Sequence, residues 1–161
     1  MRRLTLDDAD LMLAVWNDPA FIRYVGDRGI RTLEHASTEL ENGAMRLYRD
    51  YGFGPFRVSL KYDDTAIGVS GVFRRESLDD PDLGFAMLPG FCGQGYAYES
   101  ACAVVDHARA DLRLPRLSAI VSPENEASVR LIEKLGMQFE RIVRMPGDDH
   151  DIHLYGIELT N

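Results

Sequence analysis

The fold this sequence predicts is a mixed α/β domain built on a central, largely antiparallel sheet. Three observations carry that reading. Apolar residues keep helical spacing up to about residue 50, then alternate, then return to helical spacing twice between residues 96 and 135, and end alternating. A glycine loop, Pro89-Gly90-Phe91-Cys92-Gly93-Gln94-Gly95, lies between a short apolar strand and a helix. The strand–helix–strand unit around that loop demands a right-handed parallel crossover in a sheet otherwise made of hairpins.

Each element has its own signal. Thr5 before Leu6-Asp7-Asp8 reads as an N-cap followed by acidic residues in a first helical turn. Leu11, Ala14 and Val15 keep helical spacing until Asn17-Asp18-Pro19. A second helix runs from about Thr32 to Asp50, with Leu33, Leu40, Ala44, Leu47 and Tyr48 on one side. Phe56, Val58 and Leu60 then alternate with polar residues, Asp63-Asp64 turns the chain, and Ala66 to Phe73 returns. Leu83 to Leu88 is a third strand, Tyr96 to about Asp111 a helix, and Leu117 to Val121 an apolar strand. Glu124 to Leu135 is a helix stopped by Gly136, and Phe139 to Met145 and Ile152 to Leu159 are two last strands. The order is ααβββαβαββ.

Composition narrows the class. A length of 161 residues fits one domain over 1–161, and 45% apolar with 27% charged residues is ordinary for a soluble globular protein. The apolar runs are far shorter than a bilayer span, and Met1 to Asp10 has no apolar signal region. Cys92 and Cys102 lack CxxC spacing and read as reduced thiols, so the expected location is cytoplasmic, with no membrane partner. A formal charge of −8 argues against nucleic acid as a partner and favours cationic ones.

The glycine loop is built for a phosphate. Without a Cβ, Gly93 and Gly95 let the backbone curl and approach a ligand, and the first turn of the following helix offers free N–H groups to an anion. A nucleotide-hydrolysing loop needs Lys-Ser or Lys-Thr after its last glycine, which is lacking here. A dinucleotide fingerprint needs a third glycine, and Gly93-Gln94-Gly95-Tyr96-Ala97-Tyr98 does not supply it.

The run LGFAMLPGFCGQGYAYESA followed by SPENEASVRLIEKLGM resembles the GNAT superfamily of acetyl-CoA-dependent N-acetyltransferases. It looks most like the branch of ribosomal-protein N-terminal acetyltransferases, through Gly95-Tyr96-Ala97, Glu99-Ser100-Ala101, Asn125-x-x-Ser128 and Leu135-Gly136-Met137. With the strand order included, the resemblance covers nearly the whole chain. It implies acetyl-CoA as cosubstrate and an amine acceptor, either a peptide N-terminus or a small molecule, in a monomer or homodimer. Family members begin with a strand, which only Met1 to Leu4 could supply; either that strand is short or the natural start lies further upstream.

The same resemblance implies a site. The amides of Gly93, Gly95, Tyr96 and Ala97 would cradle the pyrophosphate, with Gln94 and Cys92 beside it. The strand Phe85–Leu88, with Phe85, Met87 and Leu88, would splay from Leu117–Val121 and take the pantetheine arm like an added strand. Asn125 would bond the cofactor. Many members protonate the leaving thiolate with a Tyr seven residues after the Asn, but Ile132 stands there, and the resemblance points to Ser128 instead. A helix-capping hydroxyl is the competing reading of Ser128.

Other site residues are less marked. Asp82 is the candidate base at the start of the core strand, and Glu99 reads as a helix-terminus charge. Trp16, Phe21 and Tyr24 could wall the acceptor pocket or simply pack. Asp148, Asp149, His150, Asp151 and His153 fall where the family lines its acceptor cleft. Their spacing does not suit a metal, and none is expected. Acidic stretches at 76–82 and 148–151 would draw cationic acceptors. A noncatalytic acyl-CoA-binding module is the competing function.

Overall fold

The computed structural model describes residues 1–160. Seven strands form one mixed sheet in the order β1-β2-β3-β4-β5-β7-β6. They are β1 (Arg2–Arg3), β2 (Pro55–Ser59), β3 (Ala66–Phe73), β4 (Asp82–Met87), β5 (Arg116–Val121), β6 (Gln138–Val143) and β7 (Ile152–Glu158). Every neighbouring pair is antiparallel except β4 and β5, which run parallel. The fold is the mixed, largely antiparallel α/β domain that the residue pattern predicts.

The helices divide between the two faces. On one face α1 (Ala9–Trp16), α3 (Leu33–Leu40) and the turn leading from it into α4 (Arg46–Tyr51) bury Leu11, Val15, Trp16, Ala36, Leu40 and Ala44 against Leu4 and Val69, with Tyr48 of α4 packed alongside. On the other, α5 (Tyr96–Ala110) and α6 (Glu126–Lys134) pack Ala101, Val104, Ala108 and Ile132 onto Val72, Leu83, Leu117, Ala119 and Tyr155. A small third cluster of Val58, Ile67 and Met87 receives Phe91, Tyr96 and Ala97, so it anchors the glycine loop to the sheet.

Three local differences from the sequence pattern have physical causes. Asn17-Asp18-Pro19 ends α1 but also starts α2 (Pro19–Tyr24): the Asp18 carboxylate accepts from the Phe21 amide, and proline suits a first helical position. The helix expected over 32–50 carries a wide, π-type turn at Glu41–Met45 between α3 and α4, where the weak helix formers Asn42 and Gly43 sit. In the sequence given, the first strand spans Arg2–Arg3. Arg2 and Arg3 pair with Arg57 and Phe56, and the Tyr48 hydroxyl ties the next residue down by accepting from the Leu4 amide at 3.0 Å.

Among the described residues no helix is long and apolar enough to cross a membrane.

Candidate active site

The site begins where the sheet opens. β4 is hydrogen-bonded along its length to β3, but its ladder with β5 records a single pairing, Asp82 opposite Ser118. Beyond that point β5 pairs with β7 through Val121, so β4 and β5 part toward their C-terminal ends and leave a slot. The resemblance calls for such a splay. Backbone groups of β4 that face the slot have no strand to answer them, and an extended amide-bearing ligand would do so.

At the open end lies the glycine loop. Gly93 and Gly95 adopt φ of 71° and 89°, a left-handed conformation that disfavours any side chain. A Cβ built on Gly90, Gly93 or Gly95 would meet nothing within 4 Å. These glycines therefore border open space, unlike Gly68, Gly71 and Gly84 in the sheet, where a Cβ would collide with neighbours. Among the described residues, the N–H groups from Gly93 to Tyr98 meet no protein acceptor, and α5 has no side-chain cap. Free amides, a helix N-terminus and an open cradle fit a phosphate group.

Several predicted contacts look different in three dimensions. Gln94 folds back and donates to the Gly90 carbonyl at 2.8 Å, so it braces the loop. The Cys92 thiol lies 3.6 Å from the carbonyls of both Met87 and Leu88, and burial raises its pKa, which opposes thiolate formation. The Leu88 amide already donates to the Ile67 carbonyl at 2.8 Å and so has no hydrogen to offer a ligand. Phe85 packs its ring toward the main core, and Met87 is buried against Val58 and Ile67, which leaves their backbone for the slot.

On the β5 side Asn125 caps α6. Its side-chain oxygen accepts from the Ser128 amide at 3.3 Å, which turns the Asn125 amide nitrogen toward other acceptors. Ser128 is half-buried in that first turn. Ile132 is only 2% exposed within the main core, so no acid comes from that position. Glu99 is exposed in the first turn of α5, as its reading as a helix-terminus charge requires.

Asp82 closes the slot. It is 1% exposed, its Oδ2 accepts from Arg75 Nε at 2.9 Å, and Oδ1 has no partner among the described residues. Burial raises the carboxyl's pKa, against the opposing pull of the Arg75 guanidinium.

The acceptor side brings together segments far apart in sequence. Arg23 of α2 reaches Glu124, next to Asn125, at 3.8 Å. Ser77 approaches the Met145 sulfur at 4.0 Å, so the two acidic stretches adjoin. Their charge is partly answered, however: Asp79 pairs with Arg141, Asp80 with Arg116 and Asp151 with Arg144, while Asp148 accepts a hydrogen bond from the His150 ring when Nδ1 carries a proton. Counting carboxylates along the chain misses these arginines. Asp149 is exposed with no recorded ion pair among the described residues.

Trp16 is a correction. At 7% exposure it belongs to the core under α1, with the Arg28 guanidinium 5.7 Å from its ring centre, and forms no open pocket wall. Tyr24 is half-buried at the end of α2, its ring 5.0 Å from the Arg23 guanidinium. The sequence reading also passed over Arg75, whose partner is 7 residues away; only the geometry of the β3–β4 loop brings them together.

This architecture is that of an acyltransferase domain. The family model described as an acetyltransferase (GNAT) domain matches residues 1–138. The chain belongs to that family, whose cosubstrate is acetyl-CoA. It is 26% identical over 162 residues to the uncharacterized N-acetyltransferase YoaA of Bacillus subtilis (strain 168), covering 98% of this chain and 91% of that protein. Its fold resembles the spermidine N-acetyltransferase of Vibrio cholerae solved with CoA and spermine, with a TM-score of 0.81, 17% identity, and 98% and 94% of the two chains covered. It also resembles the ribosomal-protein-S5-alanine acetyltransferase of Vibrio fischeri, with a TM-score of 0.74, 19% identity, and coverage of 98% and 91%. At such identities these two likenesses concern the fold alone.

Proposed function

We propose that this protein transfers the acetyl group of acetyl-CoA to a primary amine, on a peptide N-terminus or a small molecule, by direct attack without an acyl-enzyme. The observation that carries the reading is the slot: an unpaired β4 edge leading to a glycine cradle whose N–H groups are all free. The chain's part is to bind, orient and move protons. Amides of Gly93, Gly95, Tyr96 and Ala97 hold the pyrophosphate. The β4 backbone at Phe85 and Met87 pairs with the pantetheine amides, and Asn125 donates its free side-chain nitrogen to the same arm. Ser128 gives a proton to the departing thiolate. Asp82, a carboxyl whose burial strengthens its hold on a proton, takes the proton of the attacking ammonium at the closed end of the slot. Tyr24, Asp148 and Asp149 border the acceptor.

The raised Cys92 thiol supports direct attack over a covalent route. Calorimetric titration with acetyl-CoA, followed by CoA release over a panel of peptides and small amines, tests the reading. Saturable binding with amine-dependent release is the expected result. Binding without release on every amine would leave a noncatalytic acyl-CoA module.

A further inference from the structure

Two arginines on the α1–α3 face of the sheet have more donors than the protein answers. Along β4, Leu83 and Phe85 pack toward the α5–α6 side and Ala86 toward the α1–α3 side, so Asp82 projects toward α1 and α3. Ser118 does the same on β5, because its neighbours Leu117 and Ala119 belong to the opposite core. On this face lies Arg28, from the stretch between α2 and α3. Its guanidinium sits 5.7 Å from the Trp16 ring centre, and its Nη1 donates to Glu39 Oε1 at 2.9 Å. Burial lowers the Arg28 pKa, Glu39 opposes that change, and the positive charge of Arg75 adds to it. Arg28 is thus a neighbour of the guanidinium that holds Asp82.

Both arginines are only partly satisfied. Arg75 spends Nε on Asp82, and its Nη1 and Nη2 meet no acceptor among the described residues. Arg28 spends Nη1 on Glu39, and its Nε and Nη2 likewise meet none among the described residues. Their side chains are 33% and 40% exposed, so the unused donors are partly shielded from water and still within reach of a ligand. Two like charges held side by side repel, and an anion received between them removes that cost. A carboxylate matches the planar fork of a guanidinium. Because Glu39 and Asp82 already stand beside the pair, a singly charged carboxylate suits it better than a doubly charged phosphate.

We infer that the amine acceptor is a free α-amino acid, its carboxylate received by Arg28 and Arg75 and its amine turned toward Asp82. This rests on the acetyl-transfer reading above and names its acceptor. In an α-amino acid one carbon separates the amine from the carboxylate, so a single molecule can engage both members of the Arg75–Asp82 pair. Asp82 Oδ1 has no partner among the described residues, which leaves it for the ammonium. A peptide N-terminus presents an amide where the amino acid presents a carboxylate. A polyamine brings a second cation toward two guanidinium groups. Both are therefore disfavoured as acceptors.

The test measures CoA release with a panel of free α-amino acids, the matching α-carboxamides and linear diamines. The best amino acid should exceed its amide about 10-fold or more in kcat/KM, the scale of a lost hydrogen bond to a charged group. Arg28→Met should lower the amino acid's kcat/KM by a similar factor, mainly through KM, and leave the amide's value unchanged. Glu39→Gln removes the carboxylate that pairs with Arg28 but keeps the guanidinium, and it should retain the preference. Thermal midpoint and acetyl-CoA affinity show whether both variants are folded. Binding is read separately by calorimetry on the CoA-loaded protein, with N-acetylated amino acids and their amides as probes. The acids should bind more tightly than the amides in the parent, and Arg28→Met should erase the difference. Selective binding of the acids with no CoA release on any amine would overturn acetyl transfer and uphold the carboxylate subsite. Equal rates and equal binding for acids and amides in the parent overturn the inference, as does a preference for diamines. So does an Arg28→Met loss that falls equally on acid and amide, which would make Arg28 only a brace for α3.

Discussion

Asp82 lies opposite Ser118 at the point where β4 and β5 part, and both side chains are buried there. Asp82 is held by Arg75, and the Ser118 hydroxyl donates to the Pro81 carbonyl at 3.2 Å. The closed end of the slot is therefore a buried polar joint in which Asp82 Oδ1 stays without a protein partner, and the one group in it that changes charge is the Asp82 carboxyl.

That joint predicts a pH signature. Burial raises the Asp82 pKa above its ordinary 3.8, so the folded state binds this proton more tightly than the unfolded chain. Its contribution to stability is present below the ordinary value and is lost as pH rises through the raised one. Arg75→Met removes the guanidinium that pulls the pKa down, which should move the acid limb of kcat/KM to higher pH and lower stability at neutral pH. Asp82→Asn should abolish that limb and slow turnover by about 10²-fold or more, the usual scale for a lost proton-transfer group. An acid limb that stays in place in Arg75→Met would place the base elsewhere.

The cradle predicts a split between binding and stability. Gly95→Ala meets no neighbour within 4 Å, so its cost to folding is the left-handed backbone, about 1–2 kcal/mol. The added methyl occupies space that the phosphate needs. Calorimetry should show a large loss of acetyl-CoA affinity, and thermal denaturation of the free protein only a small shift. Equal losses in both would mean that the loop is merely a turn.

Asn125 has two duties that one series separates. Asn125→Asp keeps the oxygen that caps α6 but replaces the free amide donor with a second acceptor. It should preserve the thermal midpoint and weaken acetyl-CoA binding. Asn125→Ala should do both harms, with about 1 kcal/mol of stability lost with the cap. Ser128→Ala, in contrast, should lower kcat and leave acetyl-CoA affinity nearly unchanged.

Much of this arrangement was legible along the chain because its signals are local. Alternation marked β2 and the two last strands, the Asp63-Asp64 turn marked the return along β3, an apolar run marked β4, and Gly93 and Gly95 announced a loop that the structure opens toward solvent. Asn125 and Ser128, three apart, revealed one helical turn. The misreadings came from partners distant in sequence. Between pocket wall and packing, nothing local decides for Trp16, because the core that buries it draws on residues distant in sequence such as Ile30, Ala36 and Leu40. The acidic stretches looked like a strong negative rim because Arg116, Arg141 and Arg144 lie on other elements. No local pattern tells that β7 inserts between β5 and β6, which is what exposes the β6 edge.

Those arginines change what an acceptor meets, and the residual effect is measurable. In the stretch Arg144–Asp151, one arginine and three aspartates leave two net negative charges while His150 is neutral. The hydrogen bond that the protonated ring donates to Asp148 raises the His150 pKa above 6.5, so acidification removes one of those charges earlier than an unpaired histidine would. For a cationic amine, kcat/KM should fall as ionic strength rises, more steeply above the His150 titration than below it. Below it, protonated His150 answers Asp148, and Asp149→Asn alone should flatten most of the remaining slope. Above it, Asp148→Asn with Asp149→Asn should be needed for the same effect. Neither change should alter acetyl-CoA affinity, because the glycine cradle lies at the far end of the slot. Identical salt slopes for the parent and the double variant at both pH values would show that the turn is only a solvated loop.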